Sequence, residues 1–332
     1  MMYDYGIRLD VGGTIGSGHF FRCYAIAKEL KKNGFKILFI VNNKKKFEEH
    51  SSENEFTSII LKSKNEQEEI HKCEKLAEKI KTMIIDLPFK NTIYSEKLKN
   101  KCKIIIIDDI GNKKIFSAML FNGHIVKQFQ KYTVNKKITK CYFGTKYMII
   151  RKEFEEYRKN ISKPQKDIKK ILLTFGGGDD NCITLLLLPF LLKKNYKISV
   201  LIGPSFKNKN KIESLSLKNK NINIIKNQKN IAKIFAKHDL IISSSGITAY
   251  EIACLGIPCI FIPSDKYQEK TAEDMEKNGF GFNHGIWKGD FNKLEKMIES
   301  ISSIKIRKKM FNKGRALVDG KGLSRVVQKI QN

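Results

Sequence analysis

The strongest constraint on the fold is an alternation that runs, stops and runs again. Short β-rich runs ("KILFIV" at 36–41, "SIIL" at 58–61, "MIID" at 83–86, "KIIIID" at 103–108) are separated by stretches such as "FFRCYAIAKELKKNG" and "EQEEIHKCEKLAEKIK", which repeat apolar residues at helical spacing. Near-continuous apolar strands joined by helices predict a parallel sheet covered on both faces. Gly34 follows the first helical stretch and reads as its stop. The charged segment "RKEFEEYRKNISKPQKD" at 151–167 interrupts the pattern and reads as a helix end plus a linker. The alternation then restarts with "KILLTF", "KISVLIG", "INIIK", "DLIIS" and "PCIFIP". The expected fold class is therefore α/β, with two Rossmann-like, doubly wound parallel-sheet domains facing a cleft. The expected boundaries are an N-terminal domain over 1–155, a linker over 156–168 and a C-terminal domain over 169–332. The last of these ends in a helical extension of roughly 50 residues.

A chain of 332 residues is long enough for two cores. Its net charge of +29 comes from 63 basic residues, of which all but seven are lysines. No basic run is interleaved with aromatics as a single-strand platform would be, so no nucleic acid is expected as a partner. A solvated lysine surface still suits a phosphorylated substrate and peripheral contact with an anionic membrane. No apolar run approaches the roughly 18 residues of a membrane span, and the first ten residues lack the pattern of a signal peptide. The seven cysteines are scattered without metal-ligand spacing, so neither a metal nor a cofactor is expected and the natural compartment is a reducing cytoplasm. The oligomeric state is left open.

Three loops carry chemistry. In "DVGGTIGSGHFFRC", Asp10 ends a strand, Gly13, Gly16, Ser17 and Gly18 form a turn, and a helix starts near His19. Gly13 and Gly18 have the spacing of a phosphate loop, but His19 stands where that loop needs lysine. An imidazole at a helix start, in the positive end of the dipole, is disfavoured in its charged form and suits a general base. The plain alternative is a histidine that caps the helix. In "TFGGGDDN", Gly176, Gly177 and Gly178 form a backbone nest before a helix, or simply a tight turn. In "SSSGITAYEIACLGIPCIFIPSDKYQEKTA", Ser244, Ser245, Gly246 and Thr248 offer hydroxyls and N–H groups suited to a diphosphate. Glu251 lies one turn on, where a carboxylate can accept ribose hydroxyls, and Gln268 opens the next helix. Asp86 and the pair Asp108–Asp109 end strands, either as site acids or as loop caps. Arg8 and Arg22 flank the first loop, either clamping a substrate oxygen or pairing with nearby acids.

Together these segments resemble the nucleotide-sugar enzymes of GT-B fold. They are most similar to the UDP-2,4-diacetamido-2,4,6-trideoxy-β-L-altropyranose hydrolases of pseudaminic acid biosynthesis and to their relatives in spore-coat polysaccharide synthesis. Arg8, Asp10, Ile15, Gly16, Gly18, His19 and Arg22 match that family's first motif, and Gly177, Gly178 and Asp179 match its glycine turn. The resemblance implies a UDP-sugar substrate and metal-independent attack of water at the anomeric carbon, with His19 as base. It places the UDP on Gly176–Asp179 and Ser244–Glu251 with Gln268, and the uracil on the backbone of Ile231 and Ala232. Arg8, Asp10, Gly16, Ser17, Gly18, Arg22, Asp86, Asp109 and Tyr267 would line the sugar. The chain departs from the hydrolases at Tyr267, where they carry asparagine, and at Leu87–Pro88–Phe89, where they carry a tyrosine. The alternative is a MurG-like GT-B glycosyltransferase whose histidine serves a sugar hydroxyl. A third reading is a non-catalytic nucleotide-sugar binder.

Overall fold

The structure is a computed structural model that describes residues 2–12, 17–51, 55–164, 167–203, 206–226, 228 and 230–332; of Ser17 and His50 only the backbone is described. The chain forms two compact units, one of Met1–Arg151 with Lys321–Asn332 and one of Lys152–Gly320.

The first unit runs β1 (Tyr3–Leu9), α1 (Ser17–Lys32), β2 (Ile37–Val41), α2 (Lys44–His50), β3 (Thr57–Ile60), α3 (Glu66–Ala77), β4 (Ile80–Asp86), α4 (Asn91–Leu98) and β5 (Lys103–Ile107). It continues through β6 (Lys113–Lys114), β7 (Met119–Asn122), β8 (Tyr132–Thr133) and β9 (Lys140–Phe143). Seven of these strands form one sheet in the order β3-β2-β1-β4-β5-β7-β9, with each neighbour parallel. Both faces are covered, which the strand period makes visible. Ile37, Phe39 and Val41 enter one apolar cluster with Phe20 and Ala27 of α1, while Leu38 and Ile40 enter another with Ile70 and Tyr94 from α3 and α4. Gly34 ends α1 as expected, with φ +86°.

The second unit runs α5 (Lys152–Arg158), β10 (Lys170–Thr174), α6 (Ile183–Leu192), β11 (Lys197–Leu201), α7 (Lys209–Lys218), β12 (Ile222–Ile225), α8 (Ile231–Phe235) and β13 (Leu240–Ser243). It ends with α9 (Ile247–Leu255), β14 (Cys259–Phe261), α10 (Lys266–Lys277), β15 (Phe282–Asn283), α11 (Phe291–Ser302) and α12 (Ile304–Leu317). Its parallel sheet is ordered β12-β11-β10-β13-β14-β15. In both sheets the strand order reverses beside the first strand, the point outside which ligands bind in folds of this kind.

Two expectations differ from what the compact units show. The division falls at Arg151 rather than after 155, because α5 already packs on α8 and α9. The C-terminal tail is not one extension. The last helix, α13 (Gly322–Gln331), lies in the first unit, where Leu323, Val326, Val327 and Ile330 join the cluster around α1. Among the described residues no helix is long and apolar enough to cross a membrane.

Candidate active site

In the first unit, Asp86 is the last residue of β4 and pairs in register with Leu9 of β1, so it stands where the sheet reverses. Its side chain is wholly buried. Such a carboxylate must be met by donors. His19, in the first turn of α1, places Nδ1 2.8 Å from Asp86 Oδ1. Arg22, one turn further along the same helix, donates Nε–H to Oδ2 at 2.6 Å and Nη2–H to Oδ1 at 2.6 Å. The same guanidinium donates Nη1–H to Asp109 Oδ2 at 2.5 Å. Burial raises the Asp86 carboxyl, but the charge of Arg22 and then that of His19 overcome it and hold the acid well below the usual range. Asp109 is lowered in the same way, against its burial, by Arg22 and then His19.

The tautomer of His19 follows from its partners. An anionic Asp86 accepts only, so Nδ1 carries the hydrogen and donates it. Nη2 of Arg22 lies 2.9 Å from Nδ1 and is itself only a donor, so against a protonated Nδ1 its approach to the ring is not a second hydrogen bond. Nε2 then bears the lone pair and has no partner among the described residues, on a side chain that is 17% exposed. A carboxylate behind an imidazole, with the far nitrogen free, is an arrangement for taking a proton from an oxygen.

Arg8 does not line this site. It is fully enclosed, donating Nη1–H to Leu9 O and to Asp10 Oδ1, each at 2.7 Å, and Nη2–H to Glu69 and, at 3.3 Å, to Tyr94 Oη. Tyr94 Oη in turn donates to Glu69, and Lys90 Nζ stands 3.3 Å from the same carboxylate. Of the two readings the sequence left for Arg8, the structure shows the pairing with nearby acids: it holds Asp10 in place, and Asp10 keeps 12% of its side chain exposed. Asp108 is a brace. It accepts from Ile110 and Gly111 N–H, from Asn91, from Tyr132 and from Lys113, and so ties β6 and β8 to the end of β5. Gly13, Ile15 and Gly16 lie outside the described residues, as does the Ser17 side chain; Gly18 is in the first turn of α1.

In the second unit, the loops after β10 and β13 meet the same reversal. Gly176 has φ +72°, and Gly203 packs so closely that an added Cβ would stand 2.5 Å from the carbonyl oxygens of both Gly176 and Gly177. Asp179 is 4% exposed and accepts from Ile183 N–H at 2.9 Å and Thr184 N–H at 2.7 Å, so it caps α6 and is not turned to a nucleotide. Ser245 donates its hydroxyl to Gln268 O at 2.7 Å and its N–H to Gln268 Oε1 at 3.2 Å, so these two expected ligands hold each other. What they leave open is the start of α9. Its N-cap, Gly246, provides no side-chain cap, and an added Cβ there would meet nothing within 4 Å. Ser243 Oγ, buried at the end of β13, has no partner among the described residues. Ser244 is 8% exposed, Glu251 4%, and Tyr267 53%. Thr248 is half-buried in the first turn of α9.

The backbone of Ile231 and Ala232 is already engaged. Glu153 Oε1 accepts from Ile231 N–H at 2.9 Å and from Ala232 N–H at 3.4 Å, so the amides expected to cradle a uracil cap α8 on a carboxylate. Sequence reasoning missed Glu153, Glu69, Tyr94 and Lys90, whose partners lie tens of residues away. Gly203 carried the one local signal, a glycine after a strand. Among the described residues no group of His, Cys, Asp and Glu could hold a metal ion.

Comparison with known proteins adds findings of three kinds: a family, relatives and solved structures. Residues 152–318 match the glycosyltransferase family 28 C-terminal domain. The chain is 25% identical over 338 aligned residues to the spore coat polysaccharide biosynthesis protein SpsG of Bacillus subtilis, covering 98% of this chain and 97% of that one. It is 29% identical over 280 residues to an uncharacterised protein of Methanocaldococcus jannaschii, a match that takes in 81% of this chain but spans only 57% of that relative's length. Among solved structures, MurG of Acinetobacter baumannii superposes with a TM-score of 0.70 at 15% identity over 99% of both chains. HepE of Anabaena, in complex with UDP and glucose, gives 0.64 at 11% identity over 99% of both. At such identities the likeness is one of fold, and the fold is GT-B.

Proposed function

The chain belongs to the family defined by the glycosyltransferase family 28 C-terminal domain, and from that premise we propose that it moves a sugar from a UDP-sugar to an acceptor hydroxyl in surface-polysaccharide synthesis. The observation that carries the reading is the Asp86–His19 dyad. Nε2 of His19 takes the proton of the acceptor oxygen as that oxygen bonds the anomeric carbon, and the bond to UDP breaks. Asp86 holds the ring and meets the charge that forms on it. Asp109, with one oxygen on Arg22, and Asp10 offer carboxylate oxygens to sugar donor groups. In the second unit, the open N-terminus of α9, from Gly246 to Thr248, suits the diphosphate, with Gly176–Gly178 as a further backbone donor turn. The polysaccharide role is supported by the likeness to SpsG, and UDP by the ligand of the Anabaena structure.

The family match favours transfer over the hydrolysis expected first from the sequence. One observation keeps hydrolysis as a second reading: His19 of the dyad belongs to the motif that resembles the hydrolases, and its lone pair would take a proton from water equally well. The two separate in ¹⁸O-labelled water with candidate UDP-sugars. Transfer predicts UDP release only when a glycan or lipid-linked acceptor is added, with no label in the sugar. Labelled free sugar without any acceptor overturns transfer in favour of hydrolysis.

A further inference from the structure

Arg22 stands three residues after His19 on α1 and is 3% exposed. A substrate clamp would turn its donors outward. This guanidinium turns them to two strand ends instead: both oxygens of Asp86 at the end of β4, and Oδ2 of Asp109 just beyond β5. The two acids differ in what they have left. Asp86 is wholly buried, and its oxygens are taken by Arg22 and His19, with the Cys23 thiol 3.4 Å from Oδ2. Asp109 keeps 20% of its side chain exposed and makes no described hydrogen bond through Oδ1. Asp108, its neighbour, is turned to Lys113, Tyr132 and Asn91.

We propose that Arg22 is a positioning residue that yokes the base to a substrate-binding carboxylate: it fixes Asp86 behind His19 and holds Asp109 with Oδ1 open to a hydroxyl or amide N–H of the sugar. The inference rests on His19 as the base. It gives Arg22 a role distinct from mere packing, because one cation compensates two anions beside the imidazole. Among the described residues, the charged and titratable groups about the ring are Asp86 from β4, Arg22 and Cys23 from α1, and Asp109 from beyond β5, on which the charge of His124 from beyond β7 acts in turn. Removing the cation leaves two carboxylates uncompensated and favours imidazolium, so the His19 titration moves up. Removing the Asp109 charge while Arg22 stays does the opposite.

The direct test is a ring-nitrogen NMR titration of His19, assigned by its loss in His19→Ala, in the full chain and in Arg22→Lys, Arg22→Gln and Asp109→Asn. The expected wild-type ring is the Nδ1–H tautomer. Arg22→Gln raises its midpoint, Arg22→Lys raises it less, and Asp109→Asn lowers it. If Arg22→Gln does not fold, the opposite shifts of Arg22→Lys and Asp109→Asn carry the test. Wild-type tautomer and midpoint in all folded variants overturn the proposal. With a turnover assay, Arg22→Lys lowers kcat and moves the acid limb of kcat/KM upward, while Asp109→Asn raises KM more than it lowers kcat. A wild-type protein that turns over no UDP-sugar counts against His19 as base, and the ring titration still decides the role of Arg22.

Discussion

Arg8 and Arg22 are both buried arginines near the same loop, and their surroundings give them different tasks. Arg8 belongs to β1 and meets Glu69, Tyr94 and Asp10, and its ring contact with Tyr94 is 5.2 Å from cation to centroid. Burial lowers its basicity, but Asp10, Tyr94 and Glu69 overcome this and keep it charged. Truncating such a residue strands buried carboxylate. Arg8→Ala is expected to destabilise the protein by about 3–5 kcal/mol, read from the shift in urea midpoint. A variant of unchanged stability with raised KM would instead mark Arg8 as a substrate ligand. The sequence made His19 legible, because glycines before a histidine at a strand-to-helix junction leave few structural uses for an imidazole. It made Asp86 visible as a strand-end acid without separating site from cap. The split between Arg8 and Arg22 was not legible, since Glu69 is 61 positions from Arg8 and Asp86 is 64 from Arg22. Only the register of β1 on β4 and the docking of α1 and α3 bring them together.

At the scale of elements, the loops that looked alike in sequence do different work. "TFGGGDDN" and "SSSG" both precede helices, yet α6 is capped by Asp179 while α9 starts with no side-chain cap. The capped helix is closed to an anion and the open one is not. Asp179→Ala is expected to cost about 1–2 kcal/mol through the two lost N–H acceptors, and to leave the affinity for UDP nearly unchanged in calorimetry. Loss of UDP binding at unchanged stability would return Asp179 to the nucleotide site. The strands were readable because apolar runs rich in isoleucine and leucine make up most of β2, β5, β10 and β13. Strands β7 and β9 were not, since "MLFN" and "KCYF" are too short and mixed to separate from loop by periodicity.

At the scale of the whole molecule, the alternation that opens the sequence predicted two parallel-sheet units, and two are present. The place of α13 was hidden, because an amphipathic helix near the end of a chain does not declare which sheet it covers. Acid should unfold the molecule in a characteristic way. Asp86, Asp109 and Glu69 all have carboxyls held below their ordinary values, against burial, chiefly by Arg22 for the first two and by Tyr94 and Arg8 for Glu69. Groups depressed in the folded state contribute stability that is complete above their unfolded values, about pH 4, and is lost as pH falls below them. The urea midpoint is therefore expected to fall steeply below about pH 4, and Asp86→Asn to flatten that fall. A midpoint flat to pH 2 would contradict the pairing of Asp86 and Asp109 with Arg22 and of Glu69 with Arg8. The central claim, that Asp86 holds His19 as the base, is tested most directly by the turnover of a UDP-sugar with acceptor in His19→Ala and Asp86→Asn, with folding checked by circular dichroism. Each is expected to lose about 10²–10⁴-fold in kcat, and the double variant to lose little more than either alone. Wild-type turnover in folded His19→Ala, or losses that multiply in the double variant, would contradict it.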